Sequence, residues 1–218
     1  MKIKTKFELM EVIDSDRTWR RRELTNLKLL VTQIRGAHKD LVVRSSIVML
    51  SSHWEGFVKC TAKAFINFLV CQGIRYELLK TNYHVAGLIG IMNGDNSQNK
   101  TWCSKDIHVF LTNEIGRKNF IVDEDKYINP KGNLNSDMLK EILYKIGISE
   151  VDFQMYFTII DSILLKNRNE IAHGENTAVR GDSLDVEGFL VLYDKIHTLM
   201  ELYYNKLSNH IVTESYLI

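Results

Sequence analysis

Apolar positions recur at helical spacing along most of the chain. Over residues 7–35, Phe7, Met10, Leu24, Leu27, Leu30, Val31 and Ile34 fall largely three or four apart, which predicts a first long helix. Asp14 or Ser15 is an expected break, with "SDRTWRRREL" restarting the helix, and Gly36 an expected stop. Residues 40–72 carry the strongest pattern. Asp40 is placed to cap the start, and Leu41, Ile47, Leu50, Trp54, Phe57, Val58, Phe65 and Leu69 form a broad stripe up to Gly73. So many large side chains on one element require burial on more than one side.

The pattern weakens over residues 76–135. "HVAGLIGIMNGDNSQNKTW" reads as a loop with short helical pieces, and 104–116 as a short helix with Ser104 as its cap. "NFIVDEDKYINPKGNLN" is open to a short strand or ribbon. Periodicity returns at 135–147, a short helix ended by Gly147. Next comes "SEVDFQMYFTIIDSILLKNRNEIAHG", with Ser149 as cap and Asp152 three residues on. A last helix is predicted over 182–210, capped by Asp182 or Ser183. The expected fold is therefore all-α, a helical bundle of four to five main helices with an irregular middle insertion, about 76–135. With no repeat or low-complexity linker, residues 1–218 read as one domain.

Composition supports this and excludes several classes. The chain has 218 residues, 45% hydrophobic and 25% charged, with a single proline, Pro130. Its net charge of +1 is not that of a polybasic nucleic-acid coat, although a local basic patch suffices for RNA. Cys60, Cys71 and Cys103 are widely spaced and form no CxxC pair, which suggests neither a zinc knuckle nor a disulfide framework. His38, His84, His108, His197 and His210 show no ligand spacing with one another, so no metal is expected. The start of the chain has no uninterrupted apolar run of a secretory signal, and no run reaches the length of a membrane span. A cytoplasmic location without membrane association is expected.

One stretch stands apart: "LLKNRNEIAHGEN", residues 164–176. Stepping about 100° per residue places Phe153, Phe157, Ile160, Leu164 and Ile171 on one face. Arg168 falls on the edge of that stripe, where a charge has to be paired or solvated. Asn169 and His173 lie together, about 140° of helix from Arg168 to His173. Either the helix ends near Ile171 and His173 sits in the next turn, or two copies of the stretch meet across a dimer. The plainer alternative is a solvated helix tip with a histidine at the negative end of the dipole.

The order Arg168-Asn169, three residues, His173 is similar to the Arg-x4–6-His signature of the HEPN superfamily. Two upstream stretches strengthen the likeness. "TWRRRELTNLKLLV" (18–31) and "RSSIVMLSSHWEGFVKCTAKAFINFL" (44–69) resemble segments of MAE-type HEPN-like endoribonucleases, of the RiboL-PSP-HEPN kind, in the same order. Residues 76–135 match nothing in that pattern. The resemblance implies a dimer whose two Arg/His motifs line one cleft. It implies metal-independent RNA cleavage without a cofactor, in toxin–antitoxin or phage-defence systems, with a separate antitoxin or defence protein as a further partner.

On that reading His173 is the general base or acid, Arg168 contacts the scissile phosphate, and Asn169 orients His173 or holds the phosphate. The 2′-OH would attack the adjacent phosphorus, leaving 2′,3′-cyclic phosphate and 5′-OH ends. Glu55 and His53 are supporting candidates, with core packing as the simpler role for that segment. Glu55 is placed as a possible guide for Arg168. Arg17, Arg20, Arg21 and Arg22 form either a solvated face with intrahelical ion pairs or a phosphate track. The alternative function is a catalytically silent HEPN module that binds RNA or nucleotide or mediates dimerisation.

Overall fold

The computed structural model describes residues 2–94, 98–129, 133–175 and 184–218. Among these there are eight α-helices and no strand, in keeping with the all-α expectation. The helices are α1 (Lys6–Gln33), α2 (Lys39–Gln72), α3 (Thr81–Met92), α4 (Lys100–Val109), α5 (Glu124–Tyr127), α6 (Ser136–Lys145), α7 (Lys166–Ala172) and α8 (Val186–Val212).

The long antiparallel pair α1 and α2 forms the frame, and α2 also packs against α7 and α8. This is the two-sided burial its sequence required. Trp54, Phe57 and Phe65 are fully buried. Trp54, Phe57 and Phe153 all meet the Tyr203 ring of α8 at centroid distances of 5.8 to 6.5 Å.

Helix α1 runs without the break expected at Asp14 or Ser15. The polar side chains there are spent sideways, not on their own backbone. Asp14 accepts the Tyr204 hydroxyl at 2.7 Å, and Asp16 accepts from Trp19 Nε1 and Arg20 Nε at 3.0 and 2.7 Å. The start is secured by a capping box between Thr5 and Glu8.

Other caps differ from expectation. Asp40 does not cap α2. The chain enters that helix from a 3-10 turn, Gly36–His38, whose last residue, His38, stands at the cap position already in right-handed geometry, and Asp40 lies in the first turn. Asn99, not Ser104, caps α4 by accepting from the amides of Thr101 and Trp102. Asp185 caps α8 by accepting from Gly188 N, while Asp182 and Ser183 lie outside the described residues. Ser149 Oγ meets Val151 N only at 3.4 Å, ahead of a 3-10 segment, Val151–Tyr156.

The insertion is more helical than its Gly- and Asn-rich sequence predicts. It folds because Tyr76, Tyr83, Phe110 and Phe120 pack edge to face at 5.2 to 5.9 Å and belong to the same contiguous core as the bundle. In place of a ribbon the described residues show two isolated bridges, Arg75 to Asn119 and Leu79 to Leu217. Gly87 lets α3 approach Phe110 closely: a Cβ there would stand 2.5 Å from the ring. No helix among the described residues is long and apolar enough to cross a membrane.

Candidate functional site

The approach to α7 is irregular. After the 3-10 segment the chain winds into a π-helical stretch, Ile159–Leu165, before regular α geometry resumes at Lys166. A π turn holds more residues per turn, so it rotates α7 relative to an ideal helix. Ile160, Leu164 and Leu165 are buried, and so is Asn167, whose amide donates to the Ile163 carbonyl at 2.7 Å. Arg168 and Asn169 come next, half-buried.

Helix α7 ends at Ala172, with His173 as its C-cap residue and Gly174 at φ +74°. Glu175 N reaches the Glu170 carbonyl at 2.9 Å and Gly174 N the Ile171 carbonyl at 3.1 Å, a Schellman ending that needs the left-handed glycine. The first of the two sequence alternatives is thus the observed one: His173 lies in the terminal turn, exposed. Arg44 of α2 donates from Nη2 to the Glu175 carbonyl at 2.8 Å and ties this turn to the bundle.

Arg168 is held by neutral groups. Its Nη1 donates to Oδ1 of Asn133 and, at 3.0 Å, to Oδ1 of Asn169. Asn133 Nδ2 donates to the same Asn169 oxygen at 2.7 Å. Among the described residues Arg168 has no carboxylate partner. Asn169 therefore faces Arg168 and not the His173 imidazole. It reaches His173 only through its backbone, accepting the His173 amide at 2.9 Å.

The other predicted residues lie elsewhere. His53 is buried against α1, with Nε2 2.9 Å from Glu23 Oε2 and its ring 5.3 Å from Trp19. Burial lowers its pKa, against the opposing pull of Glu23. Glu55 is half-buried and forms no ion pair with Arg168. Gly56 permits close packing: a Cβ there would lie 2.7 Å from Arg20 Nη1.

The four arginines of α1 divide. Arg17 pairs with Glu201 and stacks on Tyr204, which raises its pKa chiefly through the Glu201 hydrogen bond. Arg20 pairs with Asp16. Arg21 and Arg22 are exposed and without a side-chain partner among the described residues, and they line a shallow groove with Thr18, Thr25 and Asn26.

Sequence patterns missed Asn133 and Arg44. Asn133 sits in the aperiodic "NPKGNLN" and carries no local signal. Arg44 could have been found by the logic that singled out Arg168, since it too is a charge at the edge of an apolar stripe.

An all-helical fold is that of HEPN domains. The RiboL-PSP-HEPN family model matches residues 15–209, and the chain belongs to that family. HEPN domains are generally nucleases or otherwise RNA-related. No curated protein and no solved structure matches the chain significantly.

Proposed function

We propose that this chain is a metal-independent endoribonuclease of a toxin–antitoxin or phage-defence system, with an active site composed across a homodimer. One observation carries the reading. Arg168 is half-buried, yet its guanidinium is held by carboxamide oxygens and by no carboxylate among the described residues. Arg17 and Arg20, which serve the fold, are each neutralised by an acid. A positioned and uncompensated guanidinium is a site for an anion, and a phosphate matches its donor geometry.

His173 stands one turn on, exposed, with no side-chain hydrogen bond among the described residues. In this reaction it accepts the 2′-OH proton. The 2′-oxygen then bonds to phosphorus, and Arg168 stabilises the charge on the phosphorane. The P–O5′ bond breaks and the leaving oxygen takes a proton from the second copy of His173. That second histidine is the reason for the dimer, since one side chain cannot be base and acid in the same step. Arg21 and Arg22 supply backbone contacts for the RNA.

The test is cleavage of RNA by the purified protein in EDTA, beside Arg168→Ala and His173→Ala. Each variant is expected to lose at least about a hundredfold in rate. Products are expected to carry 2′,3′-cyclic phosphate and 5′-OH ends. Activity retained in both variants overturns the site, and a strict monomer at working concentration overturns the composite cleft. Binding of RNA without cleavage leaves the silent module.

A further inference from the structure

We propose that Asn133 is a positioning residue for the phosphate-binding arginine, contributed by the segment that leads from the insertion into α6. This rests on the proposed role of Arg168 as a phosphate ligand. The orientation of the Asn133 carboxamide is dictated by the chemistry of its neighbours. Arginine only donates, so the atom facing Nη1 has to be oxygen, and the amide nitrogen is then left facing the Asn169 oxygen. The three side chains form a closed triangle, with Arg168 donating to both asparagines and Asn133 donating to Asn169.

Nη1 of Arg168 is thereby spent on two carboxamide oxygens. Nε and Nη2 have no partner among the described residues. That Nε–Nη2 edge is one of the two-pronged faces with which arginine grips a phosphate. Two neutral acceptors thus hold the group in one rotamer without cancelling its charge, which a carboxylate in the place of Asn133 would do.

Asn133 is itself well fixed. Leu134 beside it is buried, and Asn135 N donates to the Asn133 carbonyl at 2.9 Å. Ser136 is clamped by Asp161 of the π-helical stretch, N to Oδ1 at 2.8 Å and Oγ to Oδ2 at 2.5 Å. The end of the insertion and the approach to α7 are therefore bolted together close to the Asn133–Arg168 contact.

The experiment compares the full-length protein with Asn133→Ala and Asn133→Asp. It reads single-turnover RNA cleavage, binding of an RNA with a 2′-deoxy block at the cut site, thermal melting, and the Arg168 guanidinium by nitrogen-resolved NMR. A held guanidinium rotates slowly and gives separate Nη signals. In Asn133→Ala these are expected to merge and the rate to fall about tenfold or more, with melting unchanged within about 2 °C. Asn133→Asp keeps the acceptor, so the signals stay separate, while its charge weakens binding of the blocked RNA by about tenfold. An Asn133→Ala variant with unchanged rate and unchanged guanidinium signals overturns the proposal. Should the wild type neither cleave nor bind RNA, the functional reading fails separately, and the spectrum decides the positioning: signals already merged in the wild type overturn it.

Discussion

Arg44 of α2 and Glu175, just past the histidine turn, are joined by one hydrogen bond, Nη2 to carbonyl oxygen at 2.8 Å. It fastens the end of α7 to the longest helix of the bundle. Removing it is expected to leave the core intact and loosen the turn that carries His173. Arg44→Ala should cut RNA cleavage about tenfold with under about 1 kcal/mol lost from stability, measured by urea denaturation beside single-turnover assays. Arg44→Lys, which keeps a charged donor group, should restore part of the rate. Equal rates in Arg44→Ala and wild type would show that the turn needs no such tether.

Asp161 acts on Asn133 from a distance. Its carboxylate is the acceptor for both the amide and the hydroxyl of Ser136. Asp161→Ala leaves those donors without their partner and is expected to cost about 2 kcal/mol. Because α6 then shifts relative to α7, cleavage should fall even at temperatures where the variant is fully folded. A calorimetric scan paired with an activity measurement well below the midpoint separates the two effects.

Gly87 gives a test of the insertion's packing. Alanine in mid-helix usually gains up to about 1 kcal/mol over glycine. Here its Cβ would stand 2.5 Å from the ring of Phe110, which is buried. Overpacking of that kind costs about 1–3 kcal/mol and outweighs the propensity gain. Gly87→Ala should therefore lower the melting temperature. Combined with Phe110→Leu, the two losses should sum to less than their separate values, because the smaller side chain relieves the clash.

His210 sets an acid limit on stability. It is buried beside Tyr83, whose hydroxyl donates to the Ile146 carbonyl at 2.9 Å and lies 3.2 Å from His210 Nε2. Burial, with a smaller push from Lys80, lowers its pKa to about 4. The unfolded chain has the ordinary value of about 6.5, so it binds the proton more readily than the folded one. Stability from this group is full above pH about 6.5, falls as pH drops, and is lost by about 4, a change of about 3 kcal/mol. His210→Leu should flatten most of that slope in denaturation measured across the range. His53, lowered in the same direction by burial, accounts for part of what remains.

The long helices were legible because their apolar stripes are long and wide, and Gly73, Gly147 and Gly174 each end a helix in left-handed geometry as glycine allows. The caps were less legible. A side chain such as Asp14 or Asp40 caps only when nothing else claims it and the chain enters the helix at the right angle. Tyr204, nearly two hundred residues away in sequence, claims Asp14. The helical content of the insertion was hidden for a similar reason. α3 is stabilised by Phe110 lying against Gly87 and Phe120 against Tyr83, not by any stripe of its own.

By itself the sequence determined the all-α class, the presence of the long helices though not the continuity of α1, and the place of Arg168, Asn169 and His173 at one helix end. These come from local periodicity, glycine chemistry and residue spacing, which act over a few turns. Only the tertiary structure decided what Arg168 points at. The π-helical stretch rotates α7 away from an ideal projection, and Asn133, thirty-five residues before Arg168, reaches the guanidinium because Ser136 and Asp161 hold the intervening chain in place. Hydrogen bonds between side chains far apart in sequence depend on three-dimensional proximity, and no local pattern encodes it.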